Sequence, residues 1–165
     1  MLDRQDRGNV VTKVLLLGFL IGALSVATFF QGTMFLLYHG ANAIPAVAAI
    51  FGKLASPGWN LSHLMVNPPV PGLVIPSFVN QMFWGGLWGI VIAAMMRFTH
   101  FPQLFGGFMI GAIGCVGVAV TVVAALKGQP LFAGGNTRTL LRAALINGAF
   151  GWGTVLMLRS LGMRR

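Results

Sequence analysis

Apolar side chains run almost unbroken over four stretches of the chain, 14–38, 78–96, 104–126 and 140–158, and charged, proline or glycine clusters separate them. None of the four shows the polar stripe at helical period that a helix on a soluble core presents to water. Runs of this length, apolar all round, predict helices that cross a bilayer. The first covers 25 residues, roughly 37 Å at helical rise, enough to span with tilt. The turn over residues 98–102 is too short for anything but an antiparallel return. Lys127-Gly128-Gln129-Pro130 stops the third span, and Gly134-Gly135-Asn136 turns the chain into the fourth. The fold predicted is all-α: a polytopic membrane protein of four transmembrane helices arranged as two tandem hairpins in a single domain, 1–165.

The connection between the first two spans, residues 40–77, is of another kind. Pro45 opens an eleven-residue apolar segment ending at Ala55, too short to cross and suited to an interfacial or re-entrant helix. Beyond it Pro57, Pro68, Pro69, Pro71 and Pro76 forbid a continuous helix, while Trp59, Leu61, Leu64, Met65 and Ile75 ask for burial. An ordered, extended loop is expected. The charged start followed by Ser25-Val26-Ala27 resembles a secretory signal with its cleavage site, but the apolar run continues through Phe29, Phe30, Met34 and Phe35, so a retained span is expected.

The two hairpins repeat one another. Gly18-Phe19-Leu20-Ile21-Gly22-Ala23-Leu24 returns as Gly107-Phe108-Met109-Ile110-Gly111-Ala112-Ile113 at an offset of 89 residues. The second and fourth spans align at Gly85 and Gly148, an offset of 63, which leaves the loop of the first hairpin as an insertion. Small residues four apart mark faces on which helix backbones can approach: Gly18 and Gly22, Gly85 and Gly89, Gly107 and Gly111, Ala144 and Gly148, Ala149 and Gly153.

Composition narrows the chemistry. Charged residues make up 8% of the chain, and eleven Lys and Arg against two acidic residues give a formal charge of +9. These cations stand at the ends of apolar runs, where they meet lipid headgroups and set orientation, and no basic face or recognition motif accompanies them, so nucleic acid is not the expected partner. Arg4, Arg7, Lys13, Arg97, Arg159, Arg164 and Arg165 fall on one side, and Lys53, Lys127, Arg138 and Arg142 on the other. The richer side is expected in the cytoplasm, with both termini, and the 40–77 segment in the periplasm.

No Asp, Glu, Lys or Arg lies in the middle of a span, which argues against a proton or ion pathway. His39, His63 and His100 sit at span ends or in loops with no metal-ligand spacing, and no nucleophile or carboxylate pair forms a catalytic constellation. Catalytic residues, metal and cofactor are therefore expected to be none. Cys115, alone in an apolar run, reads as a packing residue. Gln31, His39, Asn80, Gln81 and Asn147 fall in the half of the bundle that bears the inserted loop, and are candidates either for interhelical hydrogen bonds or for a shallow polar pocket. Trp84 suits an interfacial aromatic belt, while Trp88 and Trp152 are expected deeper, filling space beside glycines.

Phe30-Gln31-Gly32, Phe83-Trp84-Gly85-Gly86-Leu87-Trp88-Gly89, Leu126-Lys127-Gly128-Gln129-Pro130 and Asn147-Gly148-Ala149-Phe150-Gly151 together resemble an uncharacterised group of small four-span proteobacterial membrane proteins. The resemblance extends over all four spans and implies a bacterial inner membrane and the four-span count. It carries no activity. Members of the group often have His before the Gln-Gly, where this chain has Phe30. The expected function is that of a non-catalytic accessory subunit docking through its glycine faces into a larger inner-membrane complex, or associating with itself. The alternative is a small homo-oligomeric transporter or channel for a neutral or anionic solute.

Overall fold

A computed structural model describes residues 4–54, 56, 57, 59, 61, 64–66, 74–100 and 102–163. The expected His63 and the prolines at 68, 69 and 71 lie outside these residues, as do Arg164 and Arg165. Four helices are long and apolar enough to cross a membrane. Helix α1 occupies residues 4–43, α3 Ser77–Phe98, α4 Gln103–Leu126 and α5 Thr137–Ser160, while the short α2, Pro45–Phe51, follows α1 directly. The chain is an all-α, multi-pass membrane protein. In the most apolar window of each span only 28–39% of the residues are buried within the chain, so each helix keeps apolar surface on the outside of the bundle.

Helices run past the apolar stretches at several ends, because backbone hydrogen bonding continues where polar side chains can reach the interface. The largest extension is in α1, which carries on to Ala43, and its 36 residues from Gly8 measure about 54 Å against a hydrocarbon layer of about 30 Å. Helix α5 begins at Thr137 rather than at 140 because Asn136 caps it, its side-chain oxygen accepting from the Thr139 amide at 3.1 Å. The link before it, Leu131–Gly135, contains a left-handed turn in which Phe132, Ala133 and Gly134 all have φ between 51° and 62°.

Two of the long helices are not uniformly α. A π-helical turn occupies Val26–Phe30 in α1, and two more occupy Ile110–Cys115 and Ala119–Val123 in α4. Between α2 and α3 the extended segment forms a two-stranded antiparallel ladder, β1 Leu64–Val66 with β2 Val74–Pro76, pairing Met65 with Ile75. The sequence suggested extended chain there but not its pairing.

Backbone contact closes each hairpin. Between α1 and α3, a methyl group added at Gly18 would stand 2.8 Å from the Ile90 Cα, and one at Gly22 would meet the Gly85 carbonyl and stand 2.7 Å from the Gly89 Cα. Between α4 and α5, a methyl at Gly111 would strike the Asn147 carbonyl, and one at Gly107 would lie 2.7 Å from the Gly151 carbonyl oxygen. The aromatic rings beside these glycines match too. Phe19 covers Gly86, and Phe108 covers Gly148.

These contacts revise the alignment of the repeat. Gly86 corresponds to Gly148 and Gly89 to Gly151, an offset of 62 and not the 63 that equates Gly85 with Gly148. At 62 the Met95 and Arg97 of α3 also fall on Met157 and Arg159 of α5. Gly153, expected with the packing face, points elsewhere: it lies under the ring of Phe29 and joins α5 to α1.

The contacts between hairpins follow the same symmetry. Ser25 of α1 donates to the Phe150 carbonyl of α5 at 2.9 Å, and Thr154 donates to the same oxygen at 2.8 Å from one turn further on. Adding 89 to Ser25 gives Gly114, and subtracting 62 from Phe150 gives Trp88. The Trp88 ring stands 3.4 Å from where a Gly114 methyl would be. So α1 meets α5 as α4 meets α3, with the hydrogen bond in one copy replaced by an indole over a glycine in the other. Ile92, Met96, Val155 and Leu158, none more than 1% exposed, fill the core. Trp152 is exposed, not packed inward as expected, because its neighbour Gly151 is already filled by the α4 backbone.

Gly22→Ile is expected to destabilise the bundle by about 3 kcal/mol or more, since only backbone stands in its way. Gly32→Ala, with nothing within 4 Å, is expected to be neutral or to stabilise by up to about 1 kcal/mol. Unfolding titrations in mixed micelles measure both, and equal effects would contradict the seam.

Candidate functional site

Polar residues gather at the end of the bundle that bears α2 and the ladder. Gln31 follows the π-helical turn of α1 and is completely buried. Its Nε2 donates to Gln81 Oε1, in the first turns of α3, at 2.8 Å. A buried amide in hydrocarbon needs such a partner, and this one ties the start of α3 to α1. Asn80 lies one residue before Gln81 on α3 and is partly buried. The remaining candidates are engaged elsewhere. Asn147 donates to the Ala143 carbonyl of its own helix at 2.9 Å, and His39 is exposed, its ring 4.3 Å from that of Phe35. Gln31 and Gln81 thus form an interhelical pair, while Asn147 and His39 make contacts within their own helices.

The inserted segment reaches far down α1. Trp59 Nε1 donates to the Ala27 carbonyl at 2.9 Å, inside the π-helical turn, and its ring lies 6.1 Å from Phe35. Arg142 of α5 donates to the Lys53 carbonyl at 3.2 Å. A π-helical turn loosens the backbone ladder, leaving a carbonyl open to a side-chain donor. Here the donor is an indole from the loop, which therefore lies against α1. Neither the turn nor Ser25 as an interhelical donor was read from the sequence. Ser25 had an available signal, a hydroxyl seven residues beyond Gly18 on the apolar helix that carries the glycine face.

At the opposite end a hollow of about 310 Å³ opens between the first turns of α1 and the ends of α3 and α5. Lys13 and Arg97 stand on its rim, with Val10, Val14 and Leu17 along one wall. Leu161, Gly162 and Met163 form the other wall because α5 ends in a glycine cap: Gly162, at φ +78°, donates to the Arg159 carbonyl at 3.1 Å, and Met163 to that of Leu158 at 3.0 Å. Such a cap turns the chain back on the helix. It carries Met163 to a buried position against the bundle.

Among the described residues no group of three or more His, Cys, Asp or Glu could hold a metal ion. Comparison of the chain with known protein families, with curated proteins and with solved structures finds no match.

The Gln31–Gln81 bond is expected to carry about 0.6 kcal/mol, and no more than about 1.7 kcal/mol, of coupling energy in a double-mutant cycle with leucine at each position. Unfolding in mixed micelles checks it. Additive single effects would show that the pair contributes nothing across the interface.

Proposed function

We propose that this protein is a non-catalytic integral subunit of a larger assembly in a bacterial inner membrane, with both termini in the cytoplasm. The observation that carries the reading is the solid interior. Both hairpins are closed by backbone contact, and Ile92, Met96, Val155 and Leu158 fill the region that a solute path between the repeats would need. The glycine faces named from the sequence are occupied inside the chain. Docking to other subunits therefore falls to the outer faces, which carry exposed Leu15, Leu16, Leu20 and Leu24 on α1 and Ile113, Val122 and Leu126 on α4.

Purification from native membranes in mild detergent is expected to bring down another integral protein in stoichiometric yield. A chain that runs alone after cross-linking in intact cells would overturn the proposal. Topology has its own test in a Cys115→Ser background. Gln129→Cys is expected to react with an impermeant maleimide in intact spheroplasts and Thr99→Cys only after lysis; the reverse pattern would invert the orientation.

A further inference from the structure

We propose that the hollow framed by Lys13, Arg97 and the α5 cap binds the phosphate group of an anionic membrane lipid. Three observations converge there. The hollow is a shaped concavity of about 310 Å³, large enough for a headgroup. Its two cations come from different helices, Lys13 from α1 and Arg97 from the last turn of α3, and neither makes a hydrogen bond or ion pair with any described residue. The rest of its lining is apolar, Val14 and Leu17 descending α1 from the rim and Leu161 and Met163 opposite.

A free phosphate needs only the cations. A lipid needs cations at the water boundary and an apolar wall leading down from them, and α1 supplies that order over one and a bit turns, from Lys13 through Val14 to Leu17. Arg97 ends an apolar helix and Lys13 begins one, so both heads lie at headgroup depth. Asp3 and Asp6, the chain's two acidic residues, stand at this end in sequence, but Arg4, Arg7, Lys13, Arg97 and Arg159 outnumber them, and the excess of cations draws an anionic surface. The second copy lacks the arrangement, because the residue equivalent to Lys13 at an offset of 89 is Pro102. The paired cations belong to the first hairpin and are not a general property of a basic helix end.

Native mass spectrometry of the full chain, released from detergent carrying phosphatidylglycerol or phosphatidylcholine, tests this. Wild type is expected to retain phosphatidylglycerol in preference to phosphatidylcholine. Lys13→Gln with Arg97→Gln is expected to lower that retention roughly tenfold or more, from the usual contribution of two cations at an anionic surface. Lys127→Gln with Arg138→Gln removes the same charge at the other end and is expected to change it little; Lys13→Arg is expected to keep binding. Equal losses in both double variants would overturn the site, as would equal retention of the two lipids. Displacement of phosphatidylglycerol by inorganic phosphate at equal concentration would overturn the assignment to a lipid. Circular dichroism and gel filtration of each variant separate loss of binding from loss of fold.

Discussion

Close approach of glycine backbones is the constraint on which the rest of the structure depends. In lipid, apolar side chains gain nothing by leaving solvent, so two helices associate only where their surfaces fit closely enough for dispersion and weak Cα–H to carbonyl contacts to accumulate. Gly18, Gly22, Gly85 and Gly89 provide that fit in the first hairpin, and Gly107, Gly111 and Gly151 with the Asn147 carbonyl in the second. Once these seams are set, the positions of Phe19 and Phe108 follow. So do the meeting of Ser25 with Phe150 and of Trp88 with Gly114, because each hairpin presents the same outer profile to the other.

The inserted segment departs from this symmetry. In the first hairpin α1 overshoots α3, and the chain descends along it through Trp59 before entering α3. The π-helical turn at Val26–Phe30 supplies the carbonyl that holds the indole, and the buried Gln31, bonded to Gln81 of α3, stands immediately beyond it. The indole bond fixes where Trp59 of the loop lies, and the glutamine bond fixes the start of α3 against α1. The second hairpin has only the short left-handed link before α5, and its π-helical turns carry no such loop contact among the described residues.

The spans were legible because length and apolarity are sufficient evidence in a membrane chain, and the glycine faces because spacing by four leaves a mark on any helix. The register of the repeat was harder to read. Gly85-Gly86 offers two adjacent glycines to align with Gly148, and only the ring that covers each one decides between them. Gly151 escaped notice for a related reason: its partner is three residues away at Gly148, while the four-residue rule selected Gly153, whose neighbour is Phe29 of another hairpin. The polar cluster was half legible. Gln31 and Gln81 face one another, but whether Asn147 turns to a neighbour or to its own Ala143 carbonyl depends on a rotamer that no spacing reveals. A π-helical turn leaves no side-chain signature at all, and the hollow by Lys13 exists because residues after the apolar fourth span fold back through the Gly162 cap.

Matched substitutions on the two seams test their equivalence most directly. Gly22 and Gly111 are related by the offset of 89, and a methyl at either meets a backbone carbonyl of the facing helix, that of Gly85 or of Asn147. Gly22→Ala and Gly111→Ala are each expected to destabilise the bundle by about 1–3 kcal/mol in unfolding titrations in mixed micelles. A loss at one position with none at the other would contradict the equivalence.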